Sequence, residues 1–227
     1  MSEQLSAIRN YSYEKLNRDT SGHDFFHSER VAKIALALQE KENAGDAAVI
    51  WAASYLHDVI DDKVVTDPQQ ERQNISDFLA SLEWSSDQIA HVLSIIDNLS
   101  YSRELEMGKA ELTLEGQLVQ DADRIDALGA IGIMRTAYYG GHTESPLYLP
   151  DVAPKNFKTK AEYRKKSTVI NHFYEKLLLL EKTMNTAAGK AEARLRTEFM
   201  QTFLTEFYAE WDGKLLTSNE NDKMKKQ

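Results

Sequence analysis

At 227 residues the chain is long enough for one well-packed domain, and 42% hydrophobic with 28% charged residues is the balance of a globular protein in water. A net charge of −9 sets it apart from proteins that grip phosphate backbones through a basic face. The absence of cysteine removes disulfide frameworks, thiolate metal sites and cysteine nucleophiles together, and fits a reducing compartment.

The N-terminus, Met-Ser-Glu-Gln-Leu-Ser-Ala-Ile, lacks the basic and apolar regions of a signal peptide. The longest leucine run, Leu177 to Leu180, is far too short to span a bilayer. These features set the expectation of a cytoplasmic chain with no membrane partner.

The pattern is helical throughout, with 4 prolines, 10 glycines and no sustained period-2 alternation. Residues 1–19 read as a helical segment leading into a core over 20–140. Val31, Ile34, Ala35 and Leu38 follow the i, i+3, i+4, i+7 spacing of a helix packed on one face. From Ala47 to Val59 the chain is apolar nearly all round, which predicts a central buried helix. Asp67-Pro68 reads as an N-cap with proline at the first helical position, ahead of inward-facing Ile75, Phe78, Leu79 and Leu82. Ser85 or Ser86 caps the next helix, whose apolar face is Ile89, Val92, Leu93 and Ile96. A polar loop around Tyr101 to Lys109 follows.

One helix is then expected from about Leu112 to Tyr139, with Gly129 and Gly132 marking close approach of another helix. Residues 141–160 hold three of the four prolines and read as a long loop or lid. Two amphipathic helices, roughly 160–184 and 188–211, are expected to pack on the core within a C-terminal unit 161–212. The polar residues 213–227 read as a disordered tail. The fold class is all-α, a compact single-domain helical bundle with a C-terminal helical extension, present as a monomer or homodimer.

The chemistry concentrates at His57-Asp58, at the end of the apolar stretch Ala52-Ala53-Ser54-Tyr55-Leu56. A buried charge is costly unless paired or bound to metal. His27 shares the inward face of Val31 and Ile34, and Asp123 lies in a similar helical setting. Alone, His27 reads as a core histidine. The four residues together form a mixed nitrogen and oxygen set suited to Mn, Fe, Co, Ni, Zn or Mg. Four protein ligands on a six-coordinate ion leave room for water and substrate, and such an ion acidifies water and polarises a phosphoryl oxygen.

His27, His57-Asp58 and Asp123 resemble the H…HD…D pattern of the HD-domain metal-dependent phosphohydrolases. The run His23-Asp24-Phe25-Phe26-His27-Ser28-Glu29-Arg30-Val31 is similar to that family's first-histidine helix. Gln120-Asp121-Ala122-Asp123-Arg124-Ile125-Asp126 through Gly132 resembles a bacterial branch of small HD hydrolases. The resemblance covers about residues 20–212. It implies the all-α HD fold, a divalent cofactor with manganese first in order, and His27, His57, Asp58 and Asp123 as its ligands.

His57-Asp58-Val59-Ile60-Asp61-Asp62 is also similar to the His-Asp-x-x-Glu-Asp segment of hydrolase domains that degrade the alarmone ppGpp. There the second acidic pair is implicated in activating water. Carried over, Asp61 replaces the glutamate and Asp62 keeps the aspartate. Independently, carboxylates at a helix C-terminus oppose the macrodipole, and one within reach of water can take its proton.

Asp126 shares a helical face with Asp123, either in the pocket or bonded to a ligand histidine. Asp121 points elsewhere and reads as a surface or capping residue. Lys63, Arg124 and Arg135 are cations near the motifs, and Asn98, Ser100, Tyr101, Tyr138 and Tyr139 could hydrogen-bond or stack on a ligand. Lys63, Arg135, Asp126, Asn98 and Tyr138 form the candidate substrate-binding set. His91, His142 and His172 fall outside the four-ligand pattern, with His91 the first suspect for a second ion. The expected activity is release of pyrophosphate from a nucleoside triphosphate. Removal of a single phosphate from a nucleotide, or a non-catalytic nucleotide-binding module, are the alternatives.

Overall fold

Caps divide this chain into its helices. In the computed structural model, which describes residues 3–17, 24–61, 64–100, 103–104, 107–156 and 167–215, nine α-helices and one 3-10 helix account for the regular structure, with no strand among the described residues. They are α1 (Glu3–Leu16), α2 (Phe25–Glu42), α3 (Ala47–Leu56), α4 (Pro68–Ser81), α5 (Ser86–Asn98), α6 (Leu114–Asp126), α7 (Gly129–His142), α8 (Val169–Glu175), the 3-10 helix (Leu177–Thr183) and α9 (Ala187–Trp211). The all-α reading holds.

Most of these helices begin at a side-chain cap. Asp24 accepts from the His27 N–H, Asp46 from Ala48 and Val49, Asp67 from Gln70 with Pro68 at the first turn, and Thr113 from Gly116. Ser85 and Gln88 form a reciprocal capping box at α5. Each cap occupies an N–H that a helix end leaves without an internal partner.

Helix α3 is the axis of the molecule. Val49 through Leu56 are all buried, and α1, α2, α5 and α6 pack around them. Helix α2 lies against both α3 and α6, which brings the start of α2, the end of α3 and the end of α6 together. The N-terminal segment belongs to this core, because Ile8 and Leu16 of α1 are fully buried. Helix α9 crosses α2, α6 and α7.

Two sequence expectations need correction. The single helix over 112–139 is two helices, because the chain breaks at Ala127-Leu128 and Gly129 takes φ +70°, a left-handed conformation that glycine adopts without strain. Gly129 does lie against another helix, at Arg196 of α9. Gly132 instead faces its own chain, since a Cβ there would stand 2.1 Å from the Ala127 carbonyl oxygen. The amphipathic helix over 160–184 is also not one helix. Residues 160–166 lie outside the described part, and the remainder divides at Lys176 (φ −141°, ψ −59°) into α8 and the 3-10 helix.

The expected loop begins at Thr143, after α7. Over 143–156 it is fastened to α8: Val169 and Ile170 N–H donate to the Pro146 and Leu147 carbonyls at 3.0 and 3.1 Å. The Asn171 side chain donates to the Val152 carbonyl at 2.9 Å. The expected tail from 216 onward lies outside the described residues.

Candidate metal centre

Three helix ends deliver the four expected ligands to one place. His27 sits in the first turn of α2 and is 2% exposed. His57 caps the C-terminus of α3, Asp58 follows it, and Asp123 lies in the last turn of α6. The two imidazole rings stand 5.3 Å apart, centre to centre, at 68°.

The hydrogen bonds behind the rings determine which nitrogens face inward. His57 Nδ1 is 2.8 Å from the Ser54 carbonyl oxygen, which can only accept, so Nδ1 carries a proton. His57 Nε2 is buried and has no hydrogen-bond partner among the described residues. It faces Asp58 Oδ1 at 3.4 Å and Asp123 Oδ1 at 3.9 Å. His27 Nδ1 is 2.7 Å from Asp126 Oδ2, and its Nε2 lies 3.4 Å from Asp58 Oδ2 and 3.3 Å from Asp123 Oδ1.

Ligand atoms of His27, His57 and Asp123 all lie within 4.8 Å of one another, and Asp58 places one oxygen against each imidazole. Atoms bound about 2.1 Å from one ion sit roughly 3.0–3.4 Å apart. The observed spacing is of that order, slightly open at His57. A buried nitrogen with no partner costs about 1–3 kcal/mol. A divalent cation at the centre would satisfy His57 Nε2 and balance both carboxylates, so the donor set fits the ion.

The charges shape one another. Burial and Arg135 push the His27 imidazole down, but Asp123, Asp126 and Asp58 outweigh them and raise it to about 9. Burial pushes the Asp123 carboxyl up, and the two histidines pull it down to about 2. Asp126 is likewise held below the usual carboxylate range, burial being outweighed by His27, Arg30 and Arg135.

The other expected site residues are placed as follows. Asp126 is 1% exposed and its oxygens face His27, Arg30 and Arg135, so of the two roles read from sequence its contacts match that of a histidine partner. Arg135 on α7 donates to Asp126 at 2.7 Å, and Tyr138 one turn further is exposed. Asp61 lies in the turn after α3, where its N–H donates to the Asp58 carbonyl at 3.1 Å and its own carbonyl accepts from Val64 and Val65. Asp62 and Lys63 lie outside the described residues, as does Tyr101. The Asn98 side chain donates to the Ser94 carbonyl at 2.8 Å and accepts from Arg103.

Three further residues near the motifs are placed away from the cluster, and of these Asp121 departs from a surface position while keeping a capping role. Arg124 is buried, with its guanidinium on the Thr183 carbonyl and on Glu104, and is not turned toward a ligand. Asp121 is not at the surface but fully buried, where it accepts from Asn185 and Thr186 at the start of α9, so it caps a helix other than its own. His91 bonds Thr113 at 2.8 Å, at the end of α6 opposite Asp123. Arg30 is the residue sequence reasoning missed. The signal available was its position one turn after His27, on the same helical face.

Residues 24–128 match the HD domain, and the chain belongs to the HD-domain phosphohydrolase superfamily. Among solved structures it resembles a protein of Lactobacillus plantarum at 42% identity, over 94% of this chain and all of that one, with a TM-score of 0.81. An HD-superfamily hydrolase of Bacillus thuringiensis is 38% identical over 93% of this chain and 98% of its own, with a TM-score of 0.75. Bacillus subtilis YpgQ, an uncharacterised protein 31% identical over 93% of this chain and 95% of its own, has been solved in complex with ADP; that structure gives a TM-score of 0.74.

Proposed function

We propose that this HD hydrolase is a metal-dependent nucleotide phosphohydrolase that releases pyrophosphate from nucleoside triphosphates. The observation that carries the metal reading is His57 Nε2, buried, facing two carboxylates and without a hydrogen-bond partner among the described residues. His27, His57, Asp58 and Asp123 would hold the ion, with Mn²⁺ first among the divalent cations the donor set accepts. When bound, the ion supplies Lewis-acid activation of water and of a phosphoryl oxygen.

The chain's own residues supply the rest. Asp61, and Asp62 beside it, would take the proton from the attacking water. Arg135, on the α7 side of Asp126, brings a guanidinium near the centre, and Lys63 and Tyr138 are further candidates for substrate phosphates and base. The complex of YpgQ with ADP supports a nucleotide as ligand, and the acidic pair after His57-Asp58 supports release of pyrophosphate.

The test is turnover of a nucleotide panel with Mn²⁺, with pyrophosphate and orthophosphate assayed separately. Pyrophosphate plus a monophosphate is the expected result. Orthophosphate alone from monophosphates would replace this reading with a nucleotidase, and silence across nucleotides and metals would replace it with a binding module. In Asp62→Asn, turnover should fall by about 10²–10⁴ with metal retained. Unchanged turnover there would remove Asp62 from the mechanism.

A further inference from the structure

The imidazole of His27 is held from behind by a carboxylate that is itself held by arginine. Asp126 Oδ2 lies 2.7 Å from His27 Nδ1, 2.7 Å from Arg135 Nη1 and 3.0 Å from Arg30 Nη2. Its Oδ1 lies 2.7 Å from Arg30 Nε. Arg30 therefore engages both oxygens with one edge of its guanidinium, whereas Arg135 contacts Oδ2 of this carboxylate. A two-point contact sets direction as well as strength.

The elements make this a closed frame. His27 and Arg30 stand one turn apart on α2, and Asp123 and Asp126 stand one turn apart on α6. His27 faces both aspartates, Asp123 through Nε2 and Asp126 through Nδ1. The arginines can only donate, so Asp126 accepts from them on both oxygens. The contact it leaves for His27 is that of a donor, Nδ1–H. The lone pair of Nε2 is then directed at Asp58 and Asp123, where the ion would lie.

We propose that Arg30 and Asp126 are positioning residues, which fix the tautomer and ring direction of His27 so that Nε2 serves the metal. This rests on the reading of the cluster as a metal centre. Partners that orient a ligating histidine typically alter metal affinity by about 10–100-fold when removed. Arg30 itself touches no ligand atom of the cluster other than through Asp126 among the contacts described above. Its effect should therefore be on the ion, ahead of any effect on substrate.

The experiment is Mn²⁺ calorimetry on the metal-stripped full chain, comparing wild type with Arg30→Ala, Arg30→Lys, Asp126→Asn and His57→Ala, each with its thermal midpoint. In parallel, ¹⁵N-resolved NMR of the Zn²⁺-loaded protein reads the His27 Nδ1 proton. Arg30→Ala and Asp126→Asn should bind Mn²⁺ about 10–100-fold more weakly. Arg30→Lys should fall between, because an ammonium cannot reproduce the two-point contact. The Nδ1 proton, hydrogen-bonded in wild type, should shift and exchange faster in Arg30→Lys, a folded variant in which a purely structural role would leave it unmoved. Wild-type Mn²⁺ affinity in Arg30→Ala and Arg30→Lys, or an unmoved Nδ1 proton, would overturn the proposal while His57→Ala still loses the ion. Undiminished Mn²⁺ affinity in His57→Ala would instead refute the metal centre, and the proposal with it.

Discussion

Metal uptake should displace a proton from His27. In the metal-free protein three carboxylates surround this imidazole and raise it to about 9 against burial and the Arg135 charge. A metal ligand must offer a lone pair, so protonated His27 cannot bind. At pH 7 a group titrating at about 9 is deprotonated in about 1% of molecules, which opposes metal binding by about 2.7 kcal/mol. Calorimetry of Mn²⁺ binding at pH 7, in two buffers of different ionisation heat, should show about one proton released per ion. The apparent association constant should rise about tenfold per pH unit toward pH 9 and then level off. Buffer-independent heats at pH 7 with a flat affinity profile would refute the reasoning. They would mean that burial and Arg135 outweigh Asp58, Asp123 and Asp126.

The same group makes the metal-free fold pH-dependent. A histidine raised on folding stabilises fully below its unfolded value near 6.5, and that stability is lost as pH rises through 9; the loss should be about 3 kcal/mol by urea titration and should vanish in a His27→Gln control. Gly132→Ala places a Cβ 2.1 Å from the Ala127 carbonyl oxygen, a backbone atom that cannot rotate away, so the fold should lose about 3 kcal/mol and its thermal midpoint roughly 6–12 °C. A wild-type midpoint would show that the turn between α6 and α7 relaxes freely. Asp121→Ala removes the acceptor of four hydrogen bonds from Asn185 and Thr186, and should lower stability by about 3–5 kcal/mol with Asn in its place costing less; equal losses for both would argue against the hydrogen-bond account.

His27 and His57-Asp58 are legible from apolar helical settings that a charge does not enter without a partner, whereas Asp123, flanked by Asp121 and Asp126, is singled out by its resemblance to the HD pattern. The pattern of α2, the apolar α3 and the caps at Asp67 and Ser85 could be read from local spacing alone, since period and capping are properties of neighbours in the chain. From the sequence, Gly129 and Gly132 read as contact points within one helix. Periodicity carries across a two-residue break almost unchanged, and a glycine's φ is not written in its neighbours' hydropathy. The split at Lys176 was hidden for the same reason: apolar spacing of Leu177 to Leu180 suits a 3-10 turn as well as an α-helix.

Asp121 and Arg30 show a different limit. Asp121's donors, Asn185 and Thr186, lie more than sixty residues away, so its burial depends on where α9 lands. Arg30 looks like a solvated charge on an amphipathic helix until α6 supplies Asp126. In both cases the residue's position along its own helix is local information, and the partner across the interface is not. That asymmetry also orders the site by how it can be broken. The four candidate ligands are marked by their own chemistry and by the HD pattern, whereas the residues proposed to aim them are defined only by the packing of α2 against α6. Substitutions that shift this packing without touching a ligand should therefore weaken the ion before they unfold the chain.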